Sequence, residues 1–350
     1  MTTGYLSSQF LLLLAFAFAT SNVAASTVSE TAARLQGYAD RGYEWPVREF
    51  IPNTPGWNKL MHDRLEQVAA IEDPAERFKG YTATMYSGLV IQNYTEHGFA
   101  RTRISDELLA ELQQGIRDGF EDRRNEGYTP SITGNQAWHI QRDELTAKVE
   151  DELHDKLEEW GNIDLDLTYV YGLRLFRNTT TIKMHLDKKG SHSIGYILHV
   201  DSSDDYDKNG DPWPFLIEDF HGRTHEIHMV PGDLILFEAA KLVHGRPHKL
   251  NASWYCNVVG HYFPKDETWA SMNHVAEAEY AVPPNNPWLK TNVDTLEFRG
   301  GLFEPECVDG WCRSTSKDII KWTGPAGSSS SWIDANGITH EFEGRKKDEL

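Results

Sequence analysis

The chain has 350 residues, 39% of them hydrophobic and 25% charged, which is the composition of a globular protein with a sizeable core. Asp and Glu number 53 against 34 Lys and Arg, so the formal net charge is −19. No basic block could follow a phosphate backbone, and we therefore do not expect nucleic acid as a partner.

Both ends of the sequence resemble targeting signals. Residues 10–19 (FLLLLAFAFA) are apolar, and small residues follow as far as Ala25. A bilayer span needs about 20 apolar residues, so this run predicts a secretory signal peptide over 1–25 and no membrane span; a buried N-terminal helix is the alternative. The sequence closes with Lys347-Asp348-Glu349-Leu350, the motif that the KDEL retrieval receptor reads. Together they predict a protein retained in the endoplasmic-reticulum lumen.

In that compartment asparagines can be glycosylated and cysteines can form disulfides. Asn93, Asn178 and Asn251 each begin an Asn-x-Ser/Thr sequon and are candidate glycosylation sites in surface turns. Cys307 and Cys312 are expected to form a disulfide that closes one tight loop, with zinc binding as the alternative. Cys256 lies in an apolar strand pattern, which predicts a buried free thiol.

Helical periodicity dominates from residue 26 to about residue 160. Apolar stripes run over Trp57–Ile71, Leu108–Phe120 and Leu145–Trp160. Asp73-Pro74-Ala75-Glu76 and Ser105 are typical of helix starts. We interpret the stripes as packing faces, because none of them has the character of a cofactor site.

After residue 162 the pattern changes to short segments rich in β-branched and aromatic residues. Strands are predicted over 167–177, 181–187, 193–200, 213–219, 224–230, 233–237, 241–246 and 253–263. Pro231-Gly232-Asp233 predicts a tight turn between two of them. Eight short strands at this spacing favour a double-sheet jelly roll or barrel. From residue 265 onward the sequence predicts an irregular tail.

The candidate metal ligands are His185, Asp187 and His244. Residues i and i+2 of a strand share a face, so His185 and Asp187 can reach one metal ion. His244 follows His185 by 59 positions and completes a two-histidine, one-carboxylate set, which is typical of non-haem Fe(II) oxygenases. His199-Val200-Asp201 is a second His-x-Asp pair, but it runs into an acidic loop where exposed polar residues are expected.

The order of the segments LRLFRNTTTIKMHLDK, SIGYILHVD, PWPFLIEDF, EIHMVPGDLILFEA, LVHGRPHKL and SWYCNVVGHYF resembles the catalytic domain of prolyl 4-hydroxylases. The resemblance covers about residues 95–265, and this group belongs to the Fe(II)- and 2-oxoglutarate-dependent dioxygenases. It implies that His185, Asp187 and His244 hold Fe(II) on a double-stranded β-helix. It also implies 2-oxoglutarate and O₂ as co-substrates, succinate and CO₂ as products, and ascorbate as an auxiliary reductant.

One position departs from the family pattern. The family places a Lys or Arg about ten residues after the distal histidine to bind 2-oxoglutarate, and here Trp254 occupies that position. A buried dicarboxylate needs a cation, so we expect a replacement. Arg246 is the first candidate, because it lies two residues past His244 on the same strand face. Arg174 is the second; it shares a face with Phe176, which stands where the family often has a co-substrate-contacting Tyr.

The predicted fold class is α+β, with a double-stranded β-helix (jelly-roll) core, an N-terminal helical region and an irregular C-terminal tail. The expected divisions are a signal peptide over 1–25, a helical region over 26–94, a dioxygenase domain over 95–265, an extension over 266–346 and the retrieval signal over 347–350.

The predicted function is hydroxylation of a residue, with proline first, in secreted proteins or peptides, proline-rich ones included. Asp, Asn, Lys or a small molecule remains open as the target. Trp213-Pro214 and Trp254-Tyr255 could line a peptide groove or belong to the core. The alternative from another class is a non-catalytic jelly-roll binding module, lectin-like or chaperone-like. A zinc hydrolase on the same ligands has no general-base glutamate beside the triad.

Overall fold

The computed structural model describes residues 49–344, with gaps at 70–72, 74–79, 82, 189, 207, 209–211, 266–295 and 298–318. The α-helices of this part of the chain include α1 (Pro55–Ala69), α2 (Asp106–Gly119) and α3 (Asp143–Gly161). A short π-helical turn covers Tyr86–Val90. The strands are β1 (Phe99–Arg103), β2 (Arg124–Asn125), β3 (Ile132–Thr133), β4 (Trp138–His139), β5 (Leu165–Arg177), β6 (Thr181–Leu186), β7 (Ile194–Ser202), β8 (Phe215–Glu218), β9 (Thr224–Ile227), β10 (Asp233–Phe237), β11 (His244–Arg246), β12 (Trp254–Pro264), β13 (Leu296–Glu297), β14 (Ile319–Trp322), β15 (Ser331–Asp334) and β16 (Thr339–Glu341).

Strands β5 to β12 form two facing sheets. One sheet contains the order β10-β7-β12-β5 and the other the order β6-β11-β8-β9, and every neighbouring pair in these two sets is antiparallel. Strands that are consecutive in sequence mostly belong to opposite sheets, so the chain winds around a common interior. This is the double-stranded β-helix, and it confirms the predicted fold class.

The eight predicted strands correspond one to one to β5–β12. The largest differences are at β9, which ends at Ile227 instead of residue 230, and at β11, which begins at His244 instead of residue 241. The amides of Lys241 and Leu242 both donate to the Glu238 carbonyl at 3.0 Å, so the chain turns there before the strand begins. The expected tight turn before β10 is present: Gly232 has φ +90° and the Asp233 amide donates to Val230 at 2.9 Å.

The three predicted helical stripes are packing faces. Leu108, Leu112 and Ile116 of α2 lie with the apolar face of α3 against the sheet that contains β5, β7, β10 and β12. The Ser105 side chain caps α2 by accepting from the Leu108 amide at 3.3 Å. Helix α1 packs through Trp57 on a second cluster that contains residues of β8 and β10.

Part of the C-terminal region has regular structure where we expected an irregular tail. Strand β14 pairs in parallel with β9, and β15 pairs with β1, so these strands extend both sheets. The signal-peptide region, the Cys307–Cys312 pair and the retrieval motif lie outside the described residues. Cys256 is a buried free thiol, as predicted. Among the described residues no helix combines the length and apolar character that a bilayer crossing requires.

Candidate metal centre

His185, Asp187 and His244 meet at one end of the two sheets. Strands β6 and β11 are paired so that His185 lies opposite His244, and Asp187 is the first residue after β6. The His185 Nε2 atom lies 3.4 Å from Asp187 Oδ1, and His244 Nε2 lies 3.8 Å from Asp187 Oδ2. One donor atom from each residue lies within 4.8 Å of the other two. The three side chains therefore converge as the spacing predicts.

Backbone carbonyls fix the orientation of both imidazole rings. His185 Nδ1 lies 2.7 Å from the Lys183 oxygen, and His244 Nδ1 lies 2.9 Å from the Leu242 oxygen. A carbonyl can only accept, so each Nδ1 carries a proton, and each Nε2 is the ring nitrogen that faces Asp187. Metal-binding histidines show this pattern, in which an outer hydrogen bond fixes the tautomer.

The charge state of the three residues suits a divalent cation. Burial alone would raise the pKa of Asp187, but the hydrogen bond from His185 and the neighbouring histidines bring this pKa well below its usual range. Burial, together with the neighbouring His185, lowers the pKa of His244 to about 4. At neutral pH His244 is thus a neutral imidazole and Asp187 a carboxylate, the forms that bind metal.

The second His-x-Asp pair lies elsewhere and has another role. His199 is fully buried and its ring stacks on Tyr255 with centroids 3.9 Å apart. Its Nδ1 lies 3.3 Å from the Cys256 carbonyl, and burial lowers its pKa to about 3. His225 and His228 likewise have other partners and pair with Asp219 and Glu226.

Sequence reasoning missed His261, which lies beside the triad. Its Nδ1 is 3.7 Å from Asp187 Oδ2, and its ring is 4.2 Å from that of His192. His192 in turn contacts the Tyr169 hydroxyl at 2.9 Å. The signal was present in the predicted last strand, because Asn257, Val259 and His261 follow one another at intervals of two and share a face.

The triad opens into a cavity of about 380 Å³. Asn257 is fully buried at its wall, and neither its amide nitrogen nor its amide oxygen has a hydrogen-bond partner. A larger groove of about 1110 Å³ continues from the cavity. The residues that line both spaces are Thr129, Tyr169, Arg174, Val259 and His261.

The two candidate cations have different environments. Arg246 is fully buried, and its guanidinium donates to the Trp213 carbonyl and to the Tyr255 hydroxyl at 3.3 Å. Among the described residues it has no carboxylate partner, and its Nε has no hydrogen bond. The Phe215 ring lies near both, 5.6 Å from the Arg246 guanidinium and 5.8 Å from the His244 ring.

Arg174 borders the cavity directly, but a carboxylate already occupies it. Glu126 accepts from its Nη2 at 2.7 Å and from its Nε at 2.9 Å. The guanidinium lies 5.0 Å above the Phe176 ring, which also lines the cavity. Trp254 is only half-buried and packs on Phe120, so it takes no part in the cavity.

The aromatic pairs considered for a peptide groove belong to the interior. Trp213 and Tyr255 are buried and pack against each other with ring centroids 5.4 Å apart. The groove instead presents Tyr169, Tyr171 and His139, and the last two rings are stacked with centroids 4.6 Å apart.

Sequence comparison finds no matching protein-family model and no matching curated protein. Similar solved structures exist. A Pseudomonas putida prolyl-4-hydroxylase is 16% identical, with 51% of this chain and 98% of that chain covered and a TM-score of 0.38. A Trichoplax adhaerens prolyl hydroxylase in complex with a hypoxia inducible factor peptide is 12% identical, with 57% and 94% covered and a TM-score of 0.41.

A third similar structure is HygX from Streptomyces hygroscopicus with nickel, 2-oxoglutarate and hygromycin B bound. The two chains are 12% identical, the match covers 48% of this chain and 84% of the HygX chain, and the TM-score is 0.35. This chain therefore has a double-stranded β-helix that resembles the core of the Fe(II)/2-oxoglutarate oxygenases, together with a candidate His-Asp-His metal site.

Proposed function

We propose that the protein is an Fe(II)- and 2-oxoglutarate-dependent dioxygenase that hydroxylates a residue, most favourably proline, of secreted proteins in the endoplasmic-reticulum lumen. The observation that carries the proposal is the convergence of His185, Asp187 and His244 at the mouth of a cavity that opens into a peptide-sized groove. Iron held there would supply O₂ activation coupled to 2-oxoglutarate decarboxylation. The residues of the chain hold the ligands and exclude water.

We assign the distal carboxylate of 2-oxoglutarate to Arg246. A buried guanidinium with only neutral partners is unfavourable, and an anionic ligand would complete its environment. Arg174 is the second candidate, because it faces the cavity. Its pairing with Glu126 weighs against it, since that carboxylate would repel a second one. Phe176 would contribute an apolar contact to the co-substrate.

Asn257 is a second polar group of the cavity, beside His261, that sequence reasoning did not identify. Its two unpartnered amide atoms are costly to bury. A bound 2-oxoglutarate carboxylate could accept from Nδ2, and bound water could donate to Oδ1. Asn257 would thereby orient the co-substrate while Arg246 balances its charge.

Two features support an extended peptide as the substrate. The groove is larger than the cavity, and it presents the rings of Tyr169, Tyr171 and His139. Aromatic faces of this kind suit the flat, preformed surface of a proline-rich segment. The terminal sequences support the lumenal location, and Asn178 and Asn251 are both exposed, as glycosylation requires.

The substrate proposal can be tested with purified protein, Fe(II), ascorbate and 2-oxoglutarate. Synthetic proline-rich peptides should gain one oxygen atom by mass spectrometry, with stoichiometric succinate. Matched peptides carrying Ala at each proline should gain none. Oxygen addition only to Asp, Asn or Lys peptides would overturn the choice of proline while leaving the enzyme class intact.

Substitution of each arginine in turn tests which of the two binds 2-oxoglutarate. Arg246→Gln should raise the KM for 2-oxoglutarate about tenfold or more, because a charge-assisted contact is lost. Arg174→Gln is the matched control and should change this KM little. The reverse result would transfer the assignment to Arg174. If the parent protein neither binds 2-oxoglutarate nor turns it over, the non-catalytic binding module would be favoured.

A further inference from the structure

A second cluster of metal-ligating side chains lies apart from the triad. Glu96 and His97 precede β1, and His221 lies in the turn between β8 and β9. One donor atom from each of the three residues lies within 4.8 Å of the other two. The two imidazole rings have centroids 5.0 Å apart, and the cluster shares no residue with the triad.

The two histidines carry unused ring nitrogens. His97 is 6% exposed and its Nδ1 has no hydrogen-bond partner; the buried Nε2 of His221 has none either. A buried ring nitrogen without a partner is costly, and a native protein normally supplies one. His154 in α3 shows the contrast, because both of its nitrogens contact carboxylates, Glu150 at 2.7 Å and Glu158 at 3.2 Å.

The backbone holds both histidines in place. Each is followed by a glycine with positive φ, +83° at Gly98 and +75° at Gly222, so the chain turns sharply after each ring. A Cβ at Gly222 would lie 2.3 Å from the Gly56 carbonyl, so this turn admits no larger residue. The rings are therefore positioned before any ligand arrives.

A further carboxylate comes from the C-terminal hairpin. Asp334 Oδ2 lies 3.7 Å from His97 Nε2, and the Asn336 amide lies 3.2 Å from the same nitrogen. Strand β15, which ends at Asp334, pairs with β1 and so brings this carboxylate to the cluster. Two imidazoles with one or two carboxylates form a mixed N/O donor set.

We propose that Glu96, His97 and His221 bind a structural Zn(II) ion, with Asp334 as the fourth ligand once its Oδ2 exchanges its 3.2 Å contact with His340 Nε2 for the metal. The donor set suits zinc, which takes His and carboxylate ligands in tetrahedral sites, better than the all-oxygen sites of Ca²⁺ or Mg²⁺. The ion would join the segment before β1, the β8–β9 turn and the C-terminal hairpin. This role is independent of the proposed dioxygenase activity.

The test uses the full mature chain with the triad disabled. In a His185→Ala/Asp187→Ala background, metal-free protein should take up about one Zn(II) per chain by equilibrium dialysis and elemental analysis. Co(II) in its place should give the intense visible bands of a tetrahedral site. Zn(II) should also raise the thermal midpoint of unfolding.

Three further substitutions in this background decide the assignment. His97→Gln, His221→Gln and Glu96→Gln should each weaken Zn(II) binding and abolish the thermal shift, whereas His154→Gln should change neither. If His97→Gln fails to fold, His221→Gln and the exposed Glu96→Gln still decide. No Zn(II) uptake in the triad-disabled protein, or uptake that all three substitutions leave unchanged, would overturn the proposal.

Discussion

Burial acts differently on the two His-x-Asp pairs. His185 and Asp187 lie beside a cavity, and their hydrogen bonds leave donor atoms directed at a common point. His199 is enclosed by aromatic rings and adjoins the Arg246 charge. The first environment suits a ligand, whereas the second keeps a neutral imidazole in the core. Residues of the same type and spacing thus acquire different chemistry from their surroundings.

The buried His199 should make the protein sensitive to acid. Its pKa is about 3 in the folded protein and 6.5 in an unfolded chain, so below pH 6.5 only the unfolded chain binds this proton. The stabilisation is complete above pH 6.5, and about 1.4 kcal/mol per pH unit is lost as the pH falls toward 3. His199→Phe keeps the stack on Tyr255 and should flatten this dependence. Urea unfolding of the parent protein and of His199→Phe, each at pH 6.5 and pH 5, gives the change in the free energy of unfolding with pH for both proteins. Equal slopes would contradict the assignment.

At the scale of elements, the triad depends on a close approach of β6 and β11. Gly245 follows His244 directly, and a Cβ there would lie 2.6 Å from the Lys183 carbonyl. That carbonyl accepts from His185 Nδ1, so one backbone contact positions a residue of each strand. Only glycine permits this spacing.

Gly245→Ala should therefore damage both stability and metal binding. The added methyl group must push β6 away, at a cost of about 1–3 kcal/mol. Displacement of the Lys183 carbonyl should weaken Co(II) binding at the triad about tenfold. Gly127→Ala is the matched control, because a Cβ there meets nothing within 4 Å. Thermal melts and Co(II) titrations measure the stability and the metal affinity of both variants. Equal values for Gly245→Ala and Gly127→Ala would contradict this role of Gly245.

The sequence was sufficient to predict the core strands and the convergence of the three candidate ligands, but not every contact around them. Alternation predicts which face a residue takes, and so the sequence indicated the faces of His185 and Asp187. It does not tell how two strands align across the barrel, and for this reason Asn257 and His261 were missed. Strands β14 and β15 escaped prediction because their pairing with β9 and β1 is long-range, and the local sequence is rich in Gly and Ser.

At the scale of the whole molecule, strands from distant parts of the chain complete both sheets. Strands β1 and β15 extend one sheet beyond β10, and β14 extends the other beyond β9. The C-terminal hairpin is thereby attached to the core, with the proposed retrieval motif following shortly after the last described residue.

The proposed retrieval motif predicts that the protein accumulates inside the cell. Deletion of Lys347–Leu350 should release the protein into the medium of expressing cells, since a receptor must read this motif for retrieval. Immunoblots of medium and cells measure the distribution, and a variant with scrambled order of the same four residues serves as the control. Continued retention of the deleted form would mean that a partner, and not the motif, holds the protein.

The His185, Asp187 and His244 triad and the cavity beside it should bind iron and 2-oxoglutarate together. The most direct measurement is the visible spectrum of the purified mature protein under anaerobic conditions, with Fe(II) added first and 2-oxoglutarate second. We predict a metal-to-ligand charge-transfer band that appears only after the second addition and is absent in His185→Ala. Stoichiometric iron binding without such a band would contradict the claim, and the non-catalytic binding module would then be the better account.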